Sequence, residues 1–126
     1  MNMKIGTELN LCCAHNLGLP YESKCNTTHG HNYRVLVEIG GSLDEYGMII
    51  DFAKVKAALM KYDHQDLNKM MQGRPTAENM ARIFIIELMA ICGQNVKDIG
   101  VRVYETPTSY AEETYEQVGT EWRPSE

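Results

Sequence analysis

Between residues 3 and 15 apolar and polar side chains alternate. Met3, Ile5, Leu9, Leu11, Cys13 and His15 share one face, with Lys4, Glu8 and Asn10 on the other. A period of two belongs to extended chain, so this stretch predicts a long strand whose apolar face ends on a histidine. Residues 16 to 30, NLGLPYESKCNTTHG, are rich in turn formers and hold no usable period, which predicts a loop. Alternation resumes at His31, with Tyr33, Val35, Val37 and Ile39 beside it and Asn32, Arg34, Leu36 and Glu38 opposite, until Gly40-Gly41 ends the strand.

The period then changes. Gly47-Met48-Ile49-Ile50 leads into Asp51, a good N-cap, and Phe52, Val55, Leu59 and Tyr62 form one helical stripe. A second helix follows Arg74-Pro75 with Thr76 as its N-cap, carries Met80, Ile83, Phe84, Leu88 and Ile91 on one side, and has Gly93 past its end. Ile99, Val101, Val103 and Glu105 then share a face of a strand over residues 97–105, and a last short strand covers Tyr110 to Tyr115. The acidic, polar segment from Gln117 is expected to be loose. The order ββααββ predicts an α+β fold, an antiparallel four-stranded sheet with two helices on one face. A single domain over residues 1–116 would be followed by a polar tail over 117–126.

Composition narrows the function classes. The 126 residues suit one core, and 12 basic against 17 acidic side chains give a net charge of -5. No run of Lys or Arg marks a nucleic-acid surface, and no stretch has the apolar length of a signal peptide or a membrane span. The expected location is the cytoplasm, where thiols stay reduced. The four cysteines are therefore not read as a disulfide framework, and they lack the CxxC pairing of a zinc knuckle. Cys12, Cys13 and Cys92 are expected to pack, whereas Cys25 lies in a polar loop beside Lys24, where packing explains less.

The candidate chemistry sits in CNTTHGHNY, residues 25 to 33. His29 and His31 are one residue apart, so in extended chain both imidazoles lie on one face. If the two strands pair antiparallel, His15 at the end of the first meets them at one rim of the sheet. Three histidines with an open fourth position are the ligand set of catalytic zinc. The competing reading is an HxH pair that only makes surface hydrogen bonds; the economy of the convergence, three of four histidines at one point, favours Zn2+. The fourth, His64, follows Asp63 just after the first helix. It either caps that helix end or forms an acid/base unit with Cys25. Glu105 continues an apolar stripe, so either the strand has left the core there or the carboxylate accepts two parallel hydrogen bonds from a planar, amidine-like edge.

The segments CAHNL, C-x3-HGHNY, GMIIDF, DHQDLN, PTAEN and YET, in this order and spacing, closely resemble the 6-pyruvoyl/6-carboxy-tetrahydropterin synthase family over residues 5 to about 115. The resemblance implies the tunnelling (T-) fold, with trimers closed into a barrel, two trimers stacked as a homohexamer, and active sites between subunits. It implies zinc on His15, His29 and His31, Cys25 as the proton-abstracting base, and Asp63 with His64 completing the catalytic triad. Glu105 would anchor the pterin, with Thr106 beside it; Thr76 opens the segment that shapes the pterin pocket in relatives, although capping alone explains it. The implied substrate is 7,8-dihydroneopterin triphosphate. The four-residue step from Cys25 to His29 matches the carboxy-forming branch, which releases triphosphate and acetaldehyde on the route to queuosine. Relatives that release 6-hydroxymethyl-dihydropterin use a glutamate in this loop, and Cys25-Asn26-Thr27-Thr28, with no acid, argues against that activity. The alternatives are a 6-pyruvoyl-tetrahydropterin synthase, which stops after triphosphate elimination, or a non-catalytic zinc or pterin-binding module. Leu11-Cys12-Cys13 before Ala14-His15, and Tyr62 before Asp63, depart from the family pattern and bear on pocket shape.

Overall fold

A computed structural model describes residues 3–125. Strands β1 (Met3–His15), β2 (His29–Gly41), β3 (Val96–Thr106), β4 (Ser109–Val118) and β5 (Glu121–Pro124) form one antiparallel sheet in sequence order. Helices α1 (Phe52–Met60), α2 (Leu67–Met70) and α3 (Ala77–Met89) lie between β2 and β3, and a 3-10 turn occupies Lys24–Asn26. The α+β class and the order of the long elements agree with the alternation. The strand and helix counts need correction: among the described residues the sheet has five strands rather than four, and there are three helices rather than two.

The fifth strand replaces the expected loose tail. Val118 pairs with Glu121, so Gly119 and Thr120 form a two-residue hairpin turn, and Gly119 takes the positive φ of 63° that the first turn position of such a hairpin favours. Trp122 then packs against the core, opposite Gln117.

The helices cover one face of the sheet because the helix-side positions of β1, β2 and β3 are mostly apolar. Leu9, Val35 and Val103 align across β1, β2 and β3, and all are buried. From α3, Met80, Phe84 and Leu88 pack onto them with no exposure. Phe52 leaves the expected stripe of α1 and is 46% exposed, because the helix meets the core through Val55 and Leu59, with Ala58 beside them. Tyr62 lies past the helix end yet is buried, its hydroxyl donating to Glu87 on α3 at 3.0 Å. Asp51, Asp66 and Thr76 each cap a helix by accepting a backbone N–H, each bond contributing about 1 kcal/mol. At the far end of β2 the register slips at Gly40/Gly41, and Gly41 passes so close to the Asn95 carbonyl that a side chain would collide with it.

Candidate active site

The pairing of β1 with β2 builds the histidine cluster. Cys13 stands opposite His31 and His15 opposite His29, so all three imidazoles lie on the helix-covered face. The second strand begins at His29, two residues before alternation alone places it, and this puts both members of the HxH pair on one side. Ring centroids are 4.5 Å apart for His15 and His29, 5.0 Å for His15 and His31, and 4.8 Å for His29 and His31. One nitrogen from each ring lies within 4.8 Å of the other two.

The hydrogen bonds around the rings decide which nitrogens face one another. His15 is fully buried, and its Nδ1 donates to the Pro75 carbonyl at 2.8 Å. His29 donates from Nδ1 to the Thr27 carbonyl at 2.6 Å. A carbonyl only accepts, so both protons sit on Nδ1 and both Nε2 atoms carry lone pairs. Those two Nε2 atoms are 2.9 Å apart, where bare lone pairs repel and a shared cation relieves the repulsion. His31 Nε2 is buried without a hydrogen-bond partner; its 3.3 Å approach to Glu105 Oε1 lacks hydrogen-bond geometry. Burial lowers the pKa of His31, while the Glu105 charge opposes that shift. Two imidazoles whose outer Nδ1 atoms are tied to carbonyls, beside a third whose buried Nε2 has no hydrogen-bond partner, fit a divalent zinc ion.

Glu105 has not left the core face. Its side chain is 29% exposed and borders a cavity of ≈ 540 Å³ together with Thr106, Ala77 and Ser109. Thr106 is exposed and its hydroxyl accepts from the Ser109 N–H at 3.1 Å, which closes the β3–β4 turn. The Thr76 hydroxyl accepts from Asn79 N at 3.1 Å as the α3 cap, and its neighbour Ala77 lines the cavity.

Asp63 and His64 lie along the outer edge of β1. The Asp63 carboxylate accepts from the Cys12 N–H at 2.8 Å and contacts His64 Nδ1 at 2.9 Å, while His64 N donates to the Cys12 carbonyl at 2.7 Å. The Cys12 N–H, foremost, and His64 hold the Asp63 carboxyl below its ordinary range. His64 has a φ of 59°, a left-handed backbone costly for a residue with a Cβ, and its side chain is 78% exposed. It shares a cleft of ≈ 460 Å³ with Cys12, Gly30, His31 and Asn32. Cys25 is half-buried in the 3-10 turn, which Ser23 caps and which Leu17 N binds through the Cys25 carbonyl at 2.7 Å. Among the described residues no hydrogen bond joins Cys25 to Asp63 or His64.

Three contributors escape a reading of side-chain chemistry. The Pro75 and Thr27 carbonyls are backbone groups without a sequence signature, and only the fold brings them to the imidazoles. Tyr33, whose hydroxyl is 3.0 Å from His15 Nδ1, was legible only as an apolar position two residues after His31. Its phenol is pushed up by burial and stays protonated.

Comparisons with known proteins give the chain's relatives. A Haemophilus influenzae 6-carboxy-5,6,7,8-tetrahydropterin synthase is 32% identical over 139 residues, spanning 86% of this chain and 96% of its own. A chain of Archaeoglobus fulgidus, to which the same name is given provisionally, is 39% identical over 114 residues, with 87% and 94% covered. The solved Caenorhabditis elegans 6-pyruvoyl tetrahydropterin synthase superposes with a TM-score of 0.70 at 26% identity, covering 94% of this chain and 97% of that one. The family model for 6-pyruvoyl tetrahydropterin synthase matches residues 4–116, and the chain belongs to that family.

Proposed function

We propose that this chain is a zinc-dependent 6-carboxy-5,6,7,8-tetrahydropterin synthase, acting on 7,8-dihydroneopterin triphosphate with loss of triphosphate and acetaldehyde, on the route to queuosine. The observation that carries the reading is the cluster of His15, His29 and His31, with two Nε2 atoms face to face at 2.9 Å. These three residues would hold the ion. Zinc supplies Lewis-acid polarisation of the substrate's side-chain hydroxyls, which acidifies the adjoining C–H.

The protein's own groups divide the remaining work. Glu105 accepts parallel hydrogen bonds from the 2-amino and ring N–H groups of the heterocycle, with Thr106 and the Thr76 segment bordering the same pocket. Cys25 removes the side-chain proton, and His64, oriented by Asp63, carries protons to and from the side chain. The exposure of His64, and the lack of a bond from it to Cys25 within the described chain, support a triad completed by a neighbouring subunit of a homohexamer. No helix among the described residues is long and apolar enough to cross a membrane.

Incubation with 7,8-dihydroneopterin triphosphate tests the product. Acetaldehyde and the 6-carboxy product are expected; a pyruvoyl product without acetaldehyde would move the chain to the other branch of its family. Cys25→Ala should reduce turnover about a hundred- to ten-thousandfold with zinc content unchanged. Background turnover in both proteins would leave a zinc- or pterin-binding module instead.

A further inference from the structure

Glu105 stands between two partners that the proposed reaction uses separately. On one side its Oε1 lies 3.3 Å from His31 Nε2, the only buried histidine nitrogen without a hydrogen bond among the described residues. On the other side it borders the cavity of ≈ 540 Å³, whose wall also carries Glu78 and Glu112. The strand pairing puts it there: Arg34 pairs with Tyr104, so the next residue of β3 turns to the helix-covered face that holds His31.

The contact with His31 is not an ordinary ion pair. It lacks hydrogen-bond geometry, and burial, the larger influence on His31, favours the neutral ring. Neither atom aims at the other, which is how two groups directed at a common third point behave. The separation also suits neighbouring ligands of a tetrahedral ion, about 3.3 Å apart when each bond is 2.0–2.1 Å. The three histidine nitrogens form their group within 4.8 Å without the carboxylate, so Glu105 flanks the ligand set and adds a negative charge beside its open position. On the cavity side, Glu78 and Glu112 are like charges and disfavour the carboxylate while the cavity is empty. A planar heterocycle with two N–H groups reverses that balance, because a carboxylate gains from two parallel, charge-assisted hydrogen bonds.

We propose that Glu105 alternates between these partners. In the substrate-free protein its carboxylate stands beside the fourth position of the histidine site; a heterocycle entering the cavity draws it away and leaves that position to the substrate's hydroxyls. This rests on the zinc and pterin readings above and adds a coupling between them. A carboxylate that serves one partner at a time makes the two bind against each other, by the same factor in both directions.

The probe is pterin without a side chain, which offers the 2-amino and ring N–H edge but no side-chain hydroxyl. The full chain, stripped of metal or loaded with Zn2+, is titrated with it by fluorescence. Pterin should bind the Zn2+ form about fivefold or more weakly, and should weaken Zn2+ binding by the same factor in chelator competition. Glu105→Gln should bind Zn2+ about tenfold more weakly than the parent. Added pterin should shift the Co2+ absorption bands of the parent and leave those of Glu105→Gln in place. Equal pterin affinity in the two forms of the parent, or tighter binding to the Zn2+ form, overturns the proposal and leaves both earlier readings standing. So does a Glu105→Gln protein with the parent's Zn2+ affinity. No saturable pterin binding to either form overturns the anchor reading as well, and a parent that takes up no stoichiometric Zn2+ overturns the zinc reading as well. If Glu105→Gln fails to fold, the two titrations of the parent decide alone.

Discussion

Two stretches of one sheet face share a fold environment and differ in everything else. In the middle, Leu9, Val35, Val103 and Ala111 stand in register across four strands and close over one another. A few residues along, the same face presents Cys13 opposite His31 and His15 opposite His29. His15 is as deeply buried as Val35. The aliphatic row is held by surface removed from water, about 25 cal/mol per Å², and needs no specific partner. The imidazole row gains little that way and depends on carbonyls at the right places, Pro75 for His15 and Thr27 for His29. Position in a strand decides which way a side chain points; a second, distant segment decides whether a buried polar one can be tolerated.

The contrast breaks most sharply at the cluster itself. His29→Ala removes one of three ligands and should weaken Zn2+ binding roughly a hundred- to a thousandfold, a quarter of the free energy typical of a four-ligand site. Chelator competition measures this, and the melting temperature of the metal-free protein should hardly move, because His29 lies at the rim. Retained affinity in that variant would remove the three-histidine site. The aliphatic row should respond in the opposite sense. Val103→Ala should cost about 2 kcal/mol of unfolding free energy by denaturant titration while leaving metal affinity unchanged. A change in affinity there would mean that the two rows are mechanically coupled.

A smaller effect concerns the edge of β1. The Asp63 carboxyl has its folded-state pKa held below the ordinary 3.8, first by the Cys12 N–H and then by His64. A depressed carboxyl pKa adds stability that is fully present above the unfolded value and is lost as pH falls through the folded one. Asp63→Asn should therefore melt slightly lower than the parent at neutral pH, and the gap should close as pH falls below 3.8. A gap that persists in acid would assign the effect to shape rather than charge.

The long strands, the caps at Asp51 and Thr76 and the three zinc candidates were legible because each follows from local periodicity or capping chemistry. Phe52 was misread because a helical stripe marks a hydrophobic direction and not how far the partner surface extends. The fifth strand was hidden by charge: Glu121 and Arg123 flank Trp122 and read as tail, although Gly119-Thr120 is a hairpin signal. The short α2 was missed because one turn of helix has no period to detect. At the site, side chains could be nominated but their supports could not. The Pro75 carbonyl lies 60 positions from His15, and the grip of Asp63 on Cys12 spans 51.

Residues 74–76 tie three parts of the molecule together within three positions. Arg74 Nε donates to the Leu17 carbonyl at 3.0 Å, the Pro75 carbonyl holds His15, and Thr76 caps α3. The loop after β1, the buried imidazole and the first turn of α3 are thereby hydrogen-bonded through three consecutive residues, and the expected outcome is that they open as one unit. Ligand occupancy at His15 would thus be written into the amide hydrogen exchange of Asn79 and Met80, the first α3 amides bonded back to Thr76. The start of α3 becomes a built-in reporter, read without touching the site.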